Sequence, residues 1–233
     1  MASPNTGVSL TILRALPIFE MLDDDSLKPL TRVAMLRAVT RNTVVLHAGD
    51  RTDNIYFVLS GALKVQVSDE EGREVILSML GPGELFGEMG VLDDHPRSAT
   101  VLAVETSEVV VIGQDEFKQC LAENPDVSLF IMRNLVKRLR LADRNIESLA
   151  LLDVYGRVAR LLLESADVVN GRKVVTHKLT KQDIAKMIGA SREMVSRVMR
   201  DLMAQGLIQE HDGQLILVDL AAFRRHGDID ADS

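Results

Sequence analysis

The chain has 233 residues, 46% hydrophobic, 26% charged and 3% aromatic, with a formal net charge of −7. That length makes one large domain or two modest ones, and the apolar content suffices for a buried core. No apolar run reaches the roughly 18 residues of a membrane-spanning helix, residues 1–9 lack the basic-then-apolar layout of a secretory leader, and the single Cys120 excludes an internal disulfide or iron–sulfur site, which fits a reducing cytoplasm.

Leu10–Leu36 carries apolar residues at helical spacing around an acidic start, Asp23-Asp24-Asp25-Ser26, and predicts one or two short helices. From about 43 to 115 the pattern becomes short Val- and Ile-rich runs: 44–46, 55–59, 63–67, 75–80, 99–104 and 109–112. Gly and Pro turns such as Gly81-Pro82-Gly83 separate them. Strands this short at regular spacing predict a small antiparallel barrel or sandwich.

A long helix follows, 124–151. Met132, Leu135, Leu139, Ala142, Ile146 and Leu149 repeat at spacings of 3 and 4, an a/d seam over about three heptads. Such a seam also occurs on a helix packed within its own domain. Here the flanks Lys137, Arg138, Arg140, Asp143 and Arg144 are charged, so the stripe is narrow and predicts a dimer seam. Leu151, Leu152 and Asp153 form a hinge. Beyond it, 153–165 reads as helix, Asn170-Gly171 as a turn, 180–188 as helix with Thr180 as N-cap, and 192–205 as a second helix capped by Ser191. Two short strands, 208–210 and 215–218, flank Asp212-Gly213, a strong hairpin signal. Helix, tight turn, helix and hairpin make a winged helix-turn-helix. The acidic tail 227–233 is expected to be disordered.

Net charge must be divided by region before it says anything about partners. Residues 154–233 hold twelve basic and eleven acidic side chains, while residues 1–153 hold fifteen and twenty-three. Within 180–200 there are five basic side chains against two acidic ones, a local patch of the kind a phosphate backbone attracts. Arg192, Glu193 and Arg197 fall near the N-terminus of the second helix, the end that enters the major groove. Arginine pairs with guanine O6/N7 and glutamate accepts from cytosine N4. Thr180, Lys181, Gln182 and Ser191 are candidates for phosphate contacts that set register.

In the first half the densest chemistry is Gly87-Glu88-Met89-Gly90 followed by Arg97-Ser98. Glycines let backbone N–H groups approach an anion. Glu88 can accept from a ribose hydroxyl, Arg97 can donate twice to a phosphate, and Ser98 adds a hydroxyl. A plain surface loop with one Arg–Glu pair is the alternative. This ordered set resembles the phosphate-binding cassette of cyclic-nucleotide-binding domains, and residues 10–225 resemble the CRP/FNR superfamily of bacterial regulators. The resemblance implies that Gly87 and Glu88 hold the ribose and cyclic phosphate and that Arg97 and Ser98 hold the phosphate. The run from Ser191 to Arg197 is similar to the recognition helix of the catabolite activator branch, which implies a near-palindromic target with TGTGA-type half-sites, a homodimer, and RNA polymerase as a partner.

The base pocket departs from the cyclic AMP pattern. The positions matching the family's adenine-contacting Thr-Ser pair are Ala142 and Asp143. An ionised carboxylate complements guanine's N1–H and amino group. Arg140 and Asp143 form an Arg-x-x-Asp arrangement that resembles a cyclic di-GMP grip, with Arg144 beside it; the same residues also suit a solvated salt-bridge face. The expectation is therefore an α+β chain: a cyclic-nucleotide-binding β-roll or jelly-roll (1–123), a dimerisation helix and hinge (124–152), and a winged helix-turn-helix (153–233). The effector is a cyclic nucleotide, cyclic AMP or a guanine-based one, with a lean toward guanine. No cofactor, metal, membrane contact or catalytic residue is expected. The rivals are a regulator of the same fold needing no nucleotide and, more distantly, an enzyme using Cys120.

Overall fold

The computed structural model describes residues 6–175, 179–211, 214–219, 221 and 223. The chain divides into two compact units, 1–137 and 138–233.

The first unit opens with β1 (Thr6–Gly7), α1 (Leu10–Arg14), a 3₁₀ turn (Pro17–Phe19) and α2 (Asp24–Val33). Ser9 caps α1 and Asp23 caps α2, each accepting a backbone N–H three residues on. The helical expectation for 10–36 overruns here. Ala34 turns extended, and β2 (Met35–Val39) pairs antiparallel with residues 107–111. A helical period cannot persist where a strand edge takes up the backbone hydrogen bonds.

The strands then follow as β3 (Val44–Leu46), β4 (Asn54–Ser60), β5 (Leu63–Ser68), β6 (Glu74–Leu80), β7 (Leu85–Phe86), β8 (Thr100–Ala103) and β9 (Ser107–Gly113). The short α3 (Glu88–Asp93) lies between β7 and β8, and α4 (Gln114–Glu123) follows β9. One sheet runs β1-β2-β9-β4-β7 and the other β3-β8-β5-β6. The near-continuous apolar runs of β4 and β9 have a simple cause: both faces are buried. Tyr56, Val58, Val109 and Val111 face a core shared by the two sheets. The alternating residues Ile55, Phe57, Val110 and Ile112 face a second core under α1, α2, α4 and the start of the long helix.

The long helix α5 (Pro125–Leu151) crosses from the first unit into the second. Asp153 caps α6 (Val154–Glu164) through the N–H of Gly156. Next come β10 (Ala166–Val169) and β11 (Arg172–Val175), α7 (Lys181–Ile188), α8 (Arg192–Ala204), β12 (Ile208–His211) and β13 (Gln214–Leu217). The Asn170-Gly171 turn, expected only as a turn, closes a full hairpin. Both residues take positive φ, the pattern of a tight two-residue loop. The hairpin joins the wing in one sheet, β10-β11-β13-β12. The Asp212-Gly213 turn and the tail 227–233 lie outside the described residues.

Phe57 is fully buried, with its ring 5.4 Å from that of Phe19 and 6.1 Å from that of Phe117. Phe57→Ala is expected to cost about 3–5 kcal/mol and to lower the melting temperature by roughly 10 °C, read by differential scanning calorimetry.

Candidate functional site

β7 ends at Phe86 and the chain must turn at once into α3. Gly87 makes that turn with φ +80°, a left-handed conformation that favours glycine. A Cβ at Gly87 would stand 2.6 Å from the Arg97 Nη1, so the glycine also makes room for the guanidinium. Gly90 is close-packed in the same way, against the Thr52 hydroxyl and the His95 carbonyl. The loop after α3 returns Arg97 to this point, with its N–H donating to the Asp50 carbonyl and its carbonyl accepting from Gly49.

Arg97 is only 6% exposed. Its Nη1 donates to the Gly87 carbonyl at 2.7 Å and its Nη2 to the Asn54 carbonyl at 2.6 Å. The guanidinium lies 5.8 Å from the Tyr56 ring, which stacks on Phe86. Its Nε is buried without a hydrogen-bond partner. Burial lowers the arginine's pKa, while the fields of Tyr56, Asp53, Glu88 and Asp50 raise it. A buried cation with neutral carbonyl partners and an unused N–H favours an anion. Glu88, the first residue of α3, is 2% exposed, whereas Met89 and Ser98 are exposed and the Ser98 hydroxyl approaches the Met89 sulfur at 3.9 Å. Gly87, Glu88, Gly90 and Arg97 are thus gathered at one place, with Met89 and Ser98 at its rim. A cavity of about 570 Å³ shares Gly90, but Asp53, Asp94, Asp115 and Glu116 line it and disfavour a phosphate.

The second unit presents a different surface. Val195, Val198, Met199 and Leu202 turn one side of α8 into the core. Arg192, Glu193 and Arg197 are exposed on the other side, within an arc of about 140°. Ser191 caps the helix through the Met194 N–H. The pKa of the Glu193 carboxyl is lowered by its own backbone N–H and by the Ser191 hydroxyl. Thr180 closes a capping box with Asp183, which occupies its hydroxyl, while Lys181 and Gln182 are exposed. Gly189, at φ +63°, makes the turn between α7 and α8.

Comparison with known proteins adds an independent line. Residues 36–124 match the cyclic nucleotide-binding domain and residues 156–226 the Crp-like helix-turn-helix domain. The cAMP-activated global transcriptional regulator CRP of Haemophilus influenzae is 37% identical over 183 residues, 76% of this chain and 80% of that protein. The chain belongs to the CRP/FNR superfamily. A CRP-like cAMP-activated global transcriptional regulator of Mycobacterium tuberculosis is 31% identical over 89% of this chain and 95% of its own length. Among solved structures, the c-di-GMP responsive global regulator CLP of Xanthomonas campestris superposes with a TM-score of 0.68 at 25% identity, covering 84% of this chain and all of that one. Within this superfamily the chain is a transcription regulator with a cyclic-nucleotide-binding domain and a DNA-binding helix-turn-helix.

The remaining residues expected to matter can be placed as well. Met132, Leu139, Ala142, Ile146 and Leu149 are exposed along α5, Ile146 by 65%, and Leu135 is half-buried. Arg140, Asp143 and Arg144 are exposed on the same helix. α5 ends at Leu151, and Leu152 and Asp153 follow as the break before α6. Cys120 is buried, and burial pushes its thiol up to about 11, the reverse of an activated nucleophile. Among the described residues there is no cluster of His, Cys, Asp and Glu fit for a metal, and no helix is long and apolar enough to cross a membrane.

The sequence pattern did not reveal the seat of Arg97. The Asn54 carbonyl has no side-chain signature, and Tyr56 and Phe86 read simply as strand residues. Gly87→Ala is expected to lower stability by about 1–2 kcal/mol through left-handed strain alone, and further through the clash with Arg97. Thermal unfolding of the variant beside a Gly72→Ala control checks this, since Gly72 has positive φ but open space around it.

Proposed function

We propose that this regulator is switched by a cyclic nucleotide whose phosphate binds at Arg97, and that it acts as a homodimer on a near-palindromic DNA site. The observation that carries the reading is the buried guanidinium of Arg97, its Nε unpartnered and its two bonds directed to neutral carbonyls. Glu88 accepts from the ribose, and Gly87, Met89, Gly90 and Ser98 complete the grip. A regulator of this fold without an effector would have no use for a buried cation in this state. The exposed apolar stripe of α5 supports pairing with a second copy, and its charged flanks set the register. The cytoplasm, RNA polymerase as partner and the absence of an enzymatic step belong to the same reading.

The base stays between adenine and guanine, with a lean toward guanine. The named relatives pull in two directions: two are called cAMP-activated and one c-di-GMP responsive. Asp143, as an acceptor, complements guanine, and Arg140 and Arg144 suit its Hoogsteen edge. Ligand shifts the regulator only by its differential affinity for two states, which this reading places at the Leu151–Asp153 hinge.

A thermal-shift panel with cyclic AMP, cyclic GMP and cyclic di-GMP tests the effector. One nucleotide at a hundredfold excess over its Kd is expected to stabilise by about 2.7 kcal/mol, and Arg97→Leu is expected to remove the shift. A panel without any shift, or an undiminished shift in Arg97→Leu, would refute the pocket.

For the DNA interface, Arg192, Glu193 and Arg197 read base edges, and Thr180, Lys181, Gln182 and Ser191 fix the backbone register. Glu193→Ala is expected to lose about 1–3 kcal/mol of discrimination at one C·G position of the half-site, measured by competition binding with single-base variants. An unchanged preference at every position sinks that assignment.

A further inference from the structure

The break at Leu151–Asp153 is bridged by a side chain from the far side. Arg160, on the second turn of α6, is 5% exposed. Its Nη1 donates to the Ser148 hydroxyl at 2.9 Å, and Nη1 and Nη2 each stand 3.3 Å from the Glu147 Oε1. Nη1 also reaches the Arg144 carbonyl at 3.5 Å, the outer edge of a hydrogen bond. Ser148 is itself 7% exposed, buried in the middle of an otherwise exposed stretch of α5. One guanidinium therefore holds two successive turns of α5 from across the break.

Other links join α5 to the helices after the break, among them the field of Arg144 on the Glu164 carboxyl. A Cβ at Gly189, in the turn before the reading helix, would stand 3.5 Å from a methyl group of Leu149, so that turn rests on α5 by apolar contact. Arg157 joins α6 to the end of α7 by donating to the Ile188 carbonyl at 2.8 Å. The direction of α8 relative to α5 thus passes through α6, and α6 is tied back to α5 by Arg160. Burying a guanidinium is costly unless its geometry is used. An apolar side chain would fill this place with less penalty, so the arginine contributes direction rather than bulk.

We propose that Arg160 is a positioning residue for DNA recognition: by clamping Glu147 and Ser148 it fixes the angle at which each head presents α8, and thereby the spacing between the two heads of a dimer. The inference rests on the reading of the chain as a DNA-binding dimer. Two heads held at the correct spacing bind a two-site duplex bivalently, and that gain disappears when the geometry is lost. Arg144 lies within the same clamp, one residue from Asp143, so the clamp also ties the head to the segment of α5 assigned to the base.

The test uses the full chain and two labelled duplexes of equal length, one with two inverted TGTGA-type half-sites and one with a single half-site. Fluorescence anisotropy is recorded without nucleotide and with cyclic AMP, cyclic GMP or cyclic di-GMP. Arg160→Met keeps the apolar stem and removes the fork. Ser148→Ala removes one partner and leaves the arginine. Arg160→Met is expected to weaken two-site binding by roughly tenfold or more while single-site binding stays within about twofold. Ser148→Ala is expected to do the same to a lesser degree, and Arg160→Lys to restore part of the loss. If both variants keep the wild-type preference for two sites, or lose both duplexes equally, Arg160 does not position the head. If the wild type itself shows no preference for two sites in any condition, the dimeric DNA reading falls and the proposal with it.

Discussion

Removing a guanidinium from water costs several kcal/mol unless its N–H groups and its charge are met. Much of the first unit is arranged around that requirement at Arg97. Gly87 leaves out the Cβ that would occupy the guanidinium's position, and its positive φ aims its own carbonyl at Nη1. Asn54, at the start of β4, offers a second carbonyl. Tyr56 and Phe86, stacked at 5.0 Å, provide a flat wall whose electron-rich face suits a cation. The β4–β7 pairing that sets Tyr56 opposite Phe86 therefore positions the pocket as much as the loop does. What these neighbours leave without a partner is the buried Nε, while Asp53, Glu88 and Asp50 act on the charge through their fields.

The second unit works by the opposite arrangement. On α8 the charges face water and the apolar side chains carry the fold. Val195, Val198, Met199 and Leu202 seat α8 in the core and leave its other face exposed. Ser191 serves twice: it caps the helix and its hydroxyl helps lower the pKa of the Glu193 carboxyl. A carboxylate accepts from cytosine N4 when it reaches a base edge. The overall charge of −7 concealed this surface because the excess of acid lies in residues 1–153.

Elements with a strong period or a strong cap were legible in the sequence. The long helix, the capped helices at Thr180 and Ser191 and the six apolar runs all reappear within a few residues of their expected bounds. Two failures share one physical cause, the sheet environment. Met35 and Leu36 followed a helical pattern closely enough to be absorbed into it, and pairing with β1 and β9 makes them the start of a strand. Asn170-Gly171 was read only as a turn, and the strands on either side became evident only in the pairing of β10 with β11 and, through β11, with the wing. At the site, residue types pointed to Arg97 and Glu88, whereas their burial and the carbonyls of Gly87 and Asn54 could not be read. Backbone acceptors are chosen by the fold and leave no trace in side-chain chemistry.

Arg97 and Arg160 show why burial alone does not mark a binding site. Both are 5–6% exposed, and both have charged neighbours. Arg160 meets a carboxylate and a hydroxyl of its own chain, so its charge is balanced and its fork is used between two helices. Arg97 hydrogen-bonds to neutral carbonyls, retains an unpartnered Nε, and is reached by Asp50, Asp53 and Glu88 only through their fields. The first condition is complete within the chain and suits a mechanical tie. The second leaves a donor free, which the proposed phosphate would use. Sorting buried arginines by what partners them thus separates a side chain with its own carboxylate from one with a free donor. In this protein the two kinds lie in different units, one at the candidate phosphate pocket and one at the break before the reading head.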